Sequence, residues 1–175
     1  DILGFDVKNT MFTASAEELA KTSISQPVIF TMSLLCAKKY TDEGGSFDAV
    51  AGHSLGEYAA MVCAGVVDMT TGFELIKKRA MCMEKAAQKN GGKMAAVLSP
   101  DVSLIENVCA EVTEAGDYVV PVNYNSLQQT VIAGSEAGIA KASEKLTAAG
   151  VKRVVPLAVA AAFHSQYMKE AADEF

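Results

Sequence analysis

The chain has 175 residues, 50% hydrophobic and 21% charged, with 13 Gly against 4 Pro, which excludes intrinsic disorder and leaves ample apolar surface for a core. Lys and Arg number 15 against 21 Asp and Glu, and a net charge of -6 excludes a protein that gains affinity by neutralising nucleic-acid phosphates. The longest apolar stretches, 59–67 and 158–163, are too short for a membrane span, which needs roughly 17–25 residues.

Ser15 caps a short helix carrying Ala16, Leu19 and Ala20, with Glu17 and Glu18 in its first turn. Ser25, followed by Gln26-Pro27, opens a longer helix to about Tyr40. After Gly44-Gly45, the apolar run Phe47–Ala51 predicts a buried strand leading into Gly52-His53-Ser54-Leu55-Gly56. A helix follows over 57–64 and stops at Gly65. A Thr71-x-x-Glu74 capping box begins the next helix, with Ile76, Ala80, Met83 and Ala87 on its apolar face and Arg79 on or beside it, ending at Gly91-Gly92. The rhythm then changes to strand 94–98, helix 102–114, strands 118–123 and 130–133, helix 136–149 and strand 152–156. This βαββαβ order predicts a small ferredoxin-like domain set into a larger α/β one.

Cys36, Cys63, Cys82 and Cys109 form no C-x-x-C pair and mostly sit beside apolar neighbours in helical patterns. They read as buried thiols of a reducing cytoplasm, not as a disulfide framework or a metal site. The first residue is Asp1 without a signal peptide, and the helical pattern over 166–175 is unfinished, so the chain reads as an internal piece of a longer protein.

Gly52-x-Ser54-x-Gly56 between an expected strand and an expected helix has the context of a nucleophile elbow, where a sharp turn lifts a serine hydroxyl out of a sheet. The helix start beside Ser54 leaves free backbone N–H groups, and the amide of Leu55 is the natural oxyanion donor. A serine needs a base. His53 adjoins Ser54 and its ring diverges from that hydroxyl, which leaves His164, in Ala161-Ala162-Phe163-His164-Ser165. Asp101 and Asp117 lie between Ser54 and His164 in the chain, but both fall in turns of the small domain, and neither makes a convincing orienter of the imidazole. Arg79 shares a helix side with Ile76 and Met83 and needs an anionic partner. That partner is either an internal carboxylate such as Glu57 or the carboxylate of a substrate.

Ser25-Gln26-Pro27, Gly52-His53-Ser54-Leu55-Gly56-Glu57-Tyr58, Lys78-Arg79-Ala80, 121–126 with 131–134, and Ala162-Phe163-His164-Ser165 together resemble the malonyl-CoA:acyl-carrier-protein transacylases, including the acyltransferase domains of fatty acid and polyketide synthases. The resemblance implies an α/β fold: an α/β-hydrolase-like larger domain, incomplete here, over 1–92, the inserted ferredoxin-like domain over 93–157, and a return to the larger domain over 158–175. It implies an enzyme in which Ser54 takes a malonyl group from malonyl-CoA and passes it to the phosphopantetheine thiol of acyl carrier protein, with His164 as base and Arg79 gripping the malonyl carboxylate. No cofactor is implied, nor any nucleic acid or membrane. Phe163 before His164 resembles the malonyl-selective members. The family's early glutamine, a second oxyanion donor, and the carbonyl that orients its histidine have no counterparts in these residues. A serine esterase or thioesterase using Ser54 and His164 with water is the alternative, and a scaffold domain needs none of Ser54, His164 and Arg79. Lys77, Lys78, Lys85 and Lys89 on one helix read either as a basic docking patch for an acidic carrier or as a solvated face.

Overall fold

The computed structural model describes residues 2–159 and 161–175; Asp1 and Ala160, within the expected ranges 1–92 and 158–175, lie outside the described residues. The chain divides into two units, Asp1–Glu84 with Phe175, and Lys85–Glu174.

The first unit is helical. Its first helix, α1 (Val7–Thr13), is capped by Asp6, whose Oδ1 accepts the Asn9 N–H at 2.9 Å. It buries no side chain, so no apolar period announces it in the sequence. In α2 (Ala16–Leu19) the expected cap is in place, Ser15 Oγ accepting from the Glu18 N–H at 3.2 Å. The long helix α3 (Thr22–Asp42) begins before Ser25, which is helical and donates its N–H to the Lys21 carbonyl at 2.8 Å. Pro27 therefore lies inside the helix. The early start is supported from elsewhere: the Ser23 N–H, one of the orphan donors of the first turn, is taken by a Glu84 carboxylate oxygen at 2.6 Å.

Phe30 and Leu34 of α3 pack with Ala59 of α4 (Gly56–Cys63) and Ile76 of α5 (Met69–Asn90), surrounded by Leu55, Tyr58, Val62, Cys63 and Phe73. Phe30 and Phe73 meet edge to face, with centroids 5.0 Å apart. Helix α5 starts two residues before Thr71, because the Asp68 carboxylate accepts the Thr71 N–H at 2.7 Å and sets a negative charge at the helix N-terminus. Those bonds to Thr71 hold the Asp68 carboxyl below its ordinary pKa.

The expected strand over 47–51 does not form. Phe47 and Val50 are exposed, and among the described residues every strand belongs to a single sheet in the second unit. An apolar run becomes a strand only when another strand supplies its hydrogen bonds, and here none does.

In the second unit, β1 (Lys93–Leu98), α6 (Val102–Glu114), β2 (Val119–Ser126), β3 (Gln129–Gly134), α7 (Glu136–Ala148) and β4 (Arg153–Pro156) follow in the anticipated order. The antiparallel sheet has the order β2-β3-β1-β4, with Ala95 opposite Ile132 and Pro156. Alternation along β1 explains its burial on both faces. Ala95 and Val97 join Ile132 and the apolar stripes of α6 and α7, including Ile105, Cys109, Val112 and Leu146. Met94 and Ala96 face the other way, with Val131, Ala133 and Ala162. Pro121 and Pro156 lie on the two edge strands, where a missing N–H is tolerated. A 3-10 turn (Gln166–Met168) runs into α8 (Lys169–Glu174). The four cysteines are free; Cys82 and Cys109 are buried as expected, whereas Cys36 is exposed.

Candidate active site

The backbone marks two residues before any side chain is considered. Among the described residues, Ser54 at φ 54° and His164 at φ 61° are the two non-glycine residues in the left-handed region. That conformation costs an L-residue about 1–2 kcal/mol, which the surrounding structure must hold. At the first of them, the chain turns from 47–51 into α4 so tightly that a Cβ on Gly52 would lie 2.1 Å from the Glu57 nitrogen and the Gly56 carbonyl carbon. Glycine at 52 is a steric requirement; Gly56 has open space where its Cβ would be.

At the start of α4 the N–H groups of Gly56, Glu57 and Tyr58 donate to the carbonyls of His53, Ser54 and Leu55 at 3.0–3.2 Å. Among the described residues no carbonyl accepts the Leu55 N–H, so the amide singled out as an oxyanion donor is available.

Arg79 reaches this turn from α5. Its Nη2 donates to Ser54 Oγ at 3.1 Å, and its Nη1 donates to Oε1 of Gln26. The guanidinium carbon sits 5.6 Å from the Tyr58 ring centroid, within cation–π range. Burial lowers the Arg79 pKa from its ordinary value, against the opposing pull of Tyr58 and Glu57. Burial raises the Tyr58 hydroxyl, and Arg79 offsets part of that rise. Glu57 acts on Arg79 only at a distance: among the described residues no carboxylate stands within salt-bridge reach of the guanidinium. The internal ion pair anticipated as one alternative is not formed.

Phe163 and His164 belong to the second unit, whereas Ser54, Leu55 and Arg79 belong to the first. Phe163 is half-buried against the cluster of Met94, Ala96, Val131, Ala133 and Ala162. The turn carrying His164 is pinned by Ser165, whose Oγ donates to the Ala162 carbonyl at 2.6 Å and accepts the Tyr167 N–H at 3.2 Å. Tyr167 stacks on Tyr118 at 5.3 Å, and the Tyr118 hydroxyl accepts the Gln166 N–H. His164 itself is exposed. Asp101 caps α6 and Asp117 pairs with Lys141, so both carboxylates are committed to the small sheet domain.

Each of the four lysines of α5 has a polar partner. Lys77 donates to the Ile2 carbonyl and Lys78 to the Phe175 carbonyl, while Lys85 and Lys89 pair with Glu174 at 2.7 Å and Glu170 at 2.5 Å. Gln26 is the residue that sequence reasoning left without a role. It is 4% exposed and lies on the stripe of Phe30 and Leu34, so an amide on an apolar stripe at i, i+4, i+8 was its available signal. Among the described residues, no group of three or more His, Cys, Asp or Glu could hold a metal ion, and no helix is long and apolar enough to cross a membrane.

The acyl transferase domain family matches residues 1–175. The chain is 41% identical over 173 residues to the malonyl CoA-acyl carrier protein transacylase of Escherichia coli K12, covering 98% of this chain and 56% of that protein. It is 38% identical to the Bacillus subtilis protein of the same name, covering 96% and 53% respectively. The solved acyl-carrier-protein S-malonyltransferase of Burkholderia pseudomallei superposes with a TM-score of 0.93 at 41% identity, over 99% of this chain and 57% of that one. A type II polyketide malonyl-transacylase, solved in complex with its acyl-carrier protein, gives 0.93 at 39% identity, over 99% and 56%. The chain thus spans a little over half the length of these relatives. With the serine turn, its adjacent guanidinium and an α/β architecture like that of these transacylases, the chain belongs to the acyl transferase domain family.

Proposed function

We propose that the protein transfers a malonyl group from malonyl-CoA to the phosphopantetheine thiol of acyl carrier protein, in fatty acid or polyketide synthesis, through a malonyl ester on Ser54. The observation that carries this reading is Arg79: a half-buried cation beside Ser54 Oγ, with neutral hydrogen-bond partners and, among the described residues, no carboxylate at salt-bridge distance. The free carboxylate of a malonyl group is the anion such a group can grip, taking over Nη2 from Ser54 Oγ. In the first half-reaction Ser54 Oγ attacks the thioester carbonyl, its proton passes to His164, and the Leu55 N–H stabilises the oxyanion. The C–S bond breaks and His164 returns the proton to the CoA thiolate. The second half runs the same steps with the carrier thiol as nucleophile and Ser54 as leaving group. Phe163, ahead of His164 as in the malonyl-selective members the chain resembles, is assigned to selection of an unbranched malonyl unit.

In this reading, residues 1–92 form part of an α/β-hydrolase-like domain, 93–157 an inserted ferredoxin-like domain and 158–175 the return. The βαββαβ order with strand order β2-β3-β1-β4 supports the middle assignment. The reaction needs no cofactor beyond its two thiol carriers, and four free thiols suit a cytoplasmic enzyme. The test is intact-protein mass spectrometry after brief exposure to malonyl-CoA and acetyl-CoA, with Ser54→Ala alongside. A malonyl adduct that requires Ser54 and leaves on addition of carrier protein is the expected result. Adducts that discharge to water equally fast without carrier would instead make the protein a thioesterase.

A further inference from the structure

We propose that Gln26 is a positioning residue that aims the Arg79 guanidinium, and that its neutral amide is what keeps that guanidinium free to bind an incoming carboxylate. The inference rests on the malonyl-transfer reading and adds the residue that sets its selectivity for a charged acyl group. Gln26 lies on α3 and Arg79 on α5, and the two helices are tied side by side around them. Glu84 takes the Ser23 N–H at 2.6 Å on one side, and Phe30 packs with Ile76 and Phe73 on the other. Chemistry fixes which way the amide points. A guanidinium carries only donors, so the atom facing Nη1 is Oε1; the other end, Nε2, donates to Met83 Sδ at 3.4 Å, a thioether that can only accept. Both ends agree on one orientation, and at 4% exposure water does not compete for it.

The consequence is a division of labour across one planar group. With Nη1 held by Gln26, Nη2 is directed at Ser54 Oγ, where the carboxylate of an acyl group on that oxygen arrives. An anionic side chain at position 26 would hold Nη1 equally well. It would also neutralise the charge, and a second carboxylate entering the same half-buried space would meet repulsion. The neutral acceptor thus orients the cation without consuming it.

The test compares Gln26→Glu, Gln26→Met and Arg79→Ala in the intact protein, reading kcat/KM and KM for Ser54 acylation by malonyl-CoA and by acetyl-CoA, with thermal unfolding alongside. Gln26→Glu keeps the shape and the acceptor, yet the malonyl-over-acetyl ratio should fall about 100-fold. Gln26→Met keeps the volume and loses the acceptor; the malonyl KM should rise roughly tenfold while acetyl transfer stays within about twofold. The proposal is overturned if Gln26→Glu leaves the ratio at the wild-type value, or if both variants depress the two donors equally and in step with lost thermal stability, which would make Gln26 a packing residue only. Arg79→Ala separates the two levels of the argument. A ratio unchanged by Arg79→Ala sinks the malonyl reading itself, whereas a ratio that collapses there but survives both Gln26 variants removes only the role assigned to Gln26.

Discussion

The two units earn their order in different ways. In the second, β1 is paired on both edges and covered on both faces, so that Ala95, Val97, Val119 and Ile132 are fully buried. Among the described residues of the first, a small cluster around Phe30 and Ile76 is buried, while Phe12, Leu35, Phe47 and Val66 stay exposed. Yet the first unit holds the serine turn, the guanidinium and, inside that turn, a glycine that admits no side chain. A sheet closed on both faces organises itself by repetition, whereas the serine turn depends on single close contacts. Its tolerance to change should therefore be lower at a few points and higher everywhere else.

The sharpest way to break this contrast is Gly52→Ala. A Cβ 2.1 Å from the Glu57 nitrogen forces the turn apart, so Ser54 acylation should fall by at least about 100-fold and the first unit should lose about 3 kcal/mol or more, while hydrogen exchange in β1 and β3 stays protected. An unaltered acylation rate would refute the steric role of Gly52. Next comes Ile132→Ala against Phe47→Ala. The first empties a fully buried site and should cost about 2–5 kcal/mol in urea unfolding; the second removes an exposed ring and should stay within about 0.5 kcal/mol. Equal costs would mean that 47–51 is packed after all. A smaller effect is expected from the backbone at His164: of two variants that both remove the imidazole, His164→Asn should unfold at a higher temperature than His164→Val, by the equivalent of about 1 kcal/mol, because a β-branched residue at a positive φ is the more strained. Equal stability of the two variants would show that the left-handed turn at His164 carries no strain. Smallest is the pH response of Asp68. Its pKa is lower folded than unfolded, so its stabilisation of α5 is present above the ordinary value of 3.8 and disappears as pH falls through the folded value. Asp68→Asn, which keeps a capping oxygen, should flatten that part of the acid-unfolding profile; a profile identical to wild type would remove Asp68 from the titration.

How far the sequence could be read follows the same division. Helices α6 and α7 lie within one residue of their expected ranges, because each pairs a regular apolar period with a capping Asp101 or Ser135, and the four strands lie within three residues of theirs. In the first unit, local rules competed with distant ones. Ser25 and Thr71 both look like caps, but Glu84 supports an earlier start for α3 and Asp68 an earlier start for α5. Phe47–Ala51 has the composition of a strand and lacks a partner. At the site, Ser54 and Arg79 were legible as chemistry, one from its glycine-flanked turn and the other as a cation on an apolar face. The partner of Arg79 was not. Gln26 lies 53 positions away and is neutral, and charge arithmetic points to Glu57 instead.

Burial on the inner face of α6 gives Cys109 one more property. Its thiol is pushed up to about 12 from 9.0, so at a given mildly alkaline pH it holds about a thousandfold less thiolate than an ordinary cysteine. Alkylating reagents should consume Cys36 at once and reach Cys109 only when the sheet domain opens. The rate at which Cys109 itself is labelled, read peptide by peptide, is then a clock for that unit alone, one the chain carries without any engineered probe.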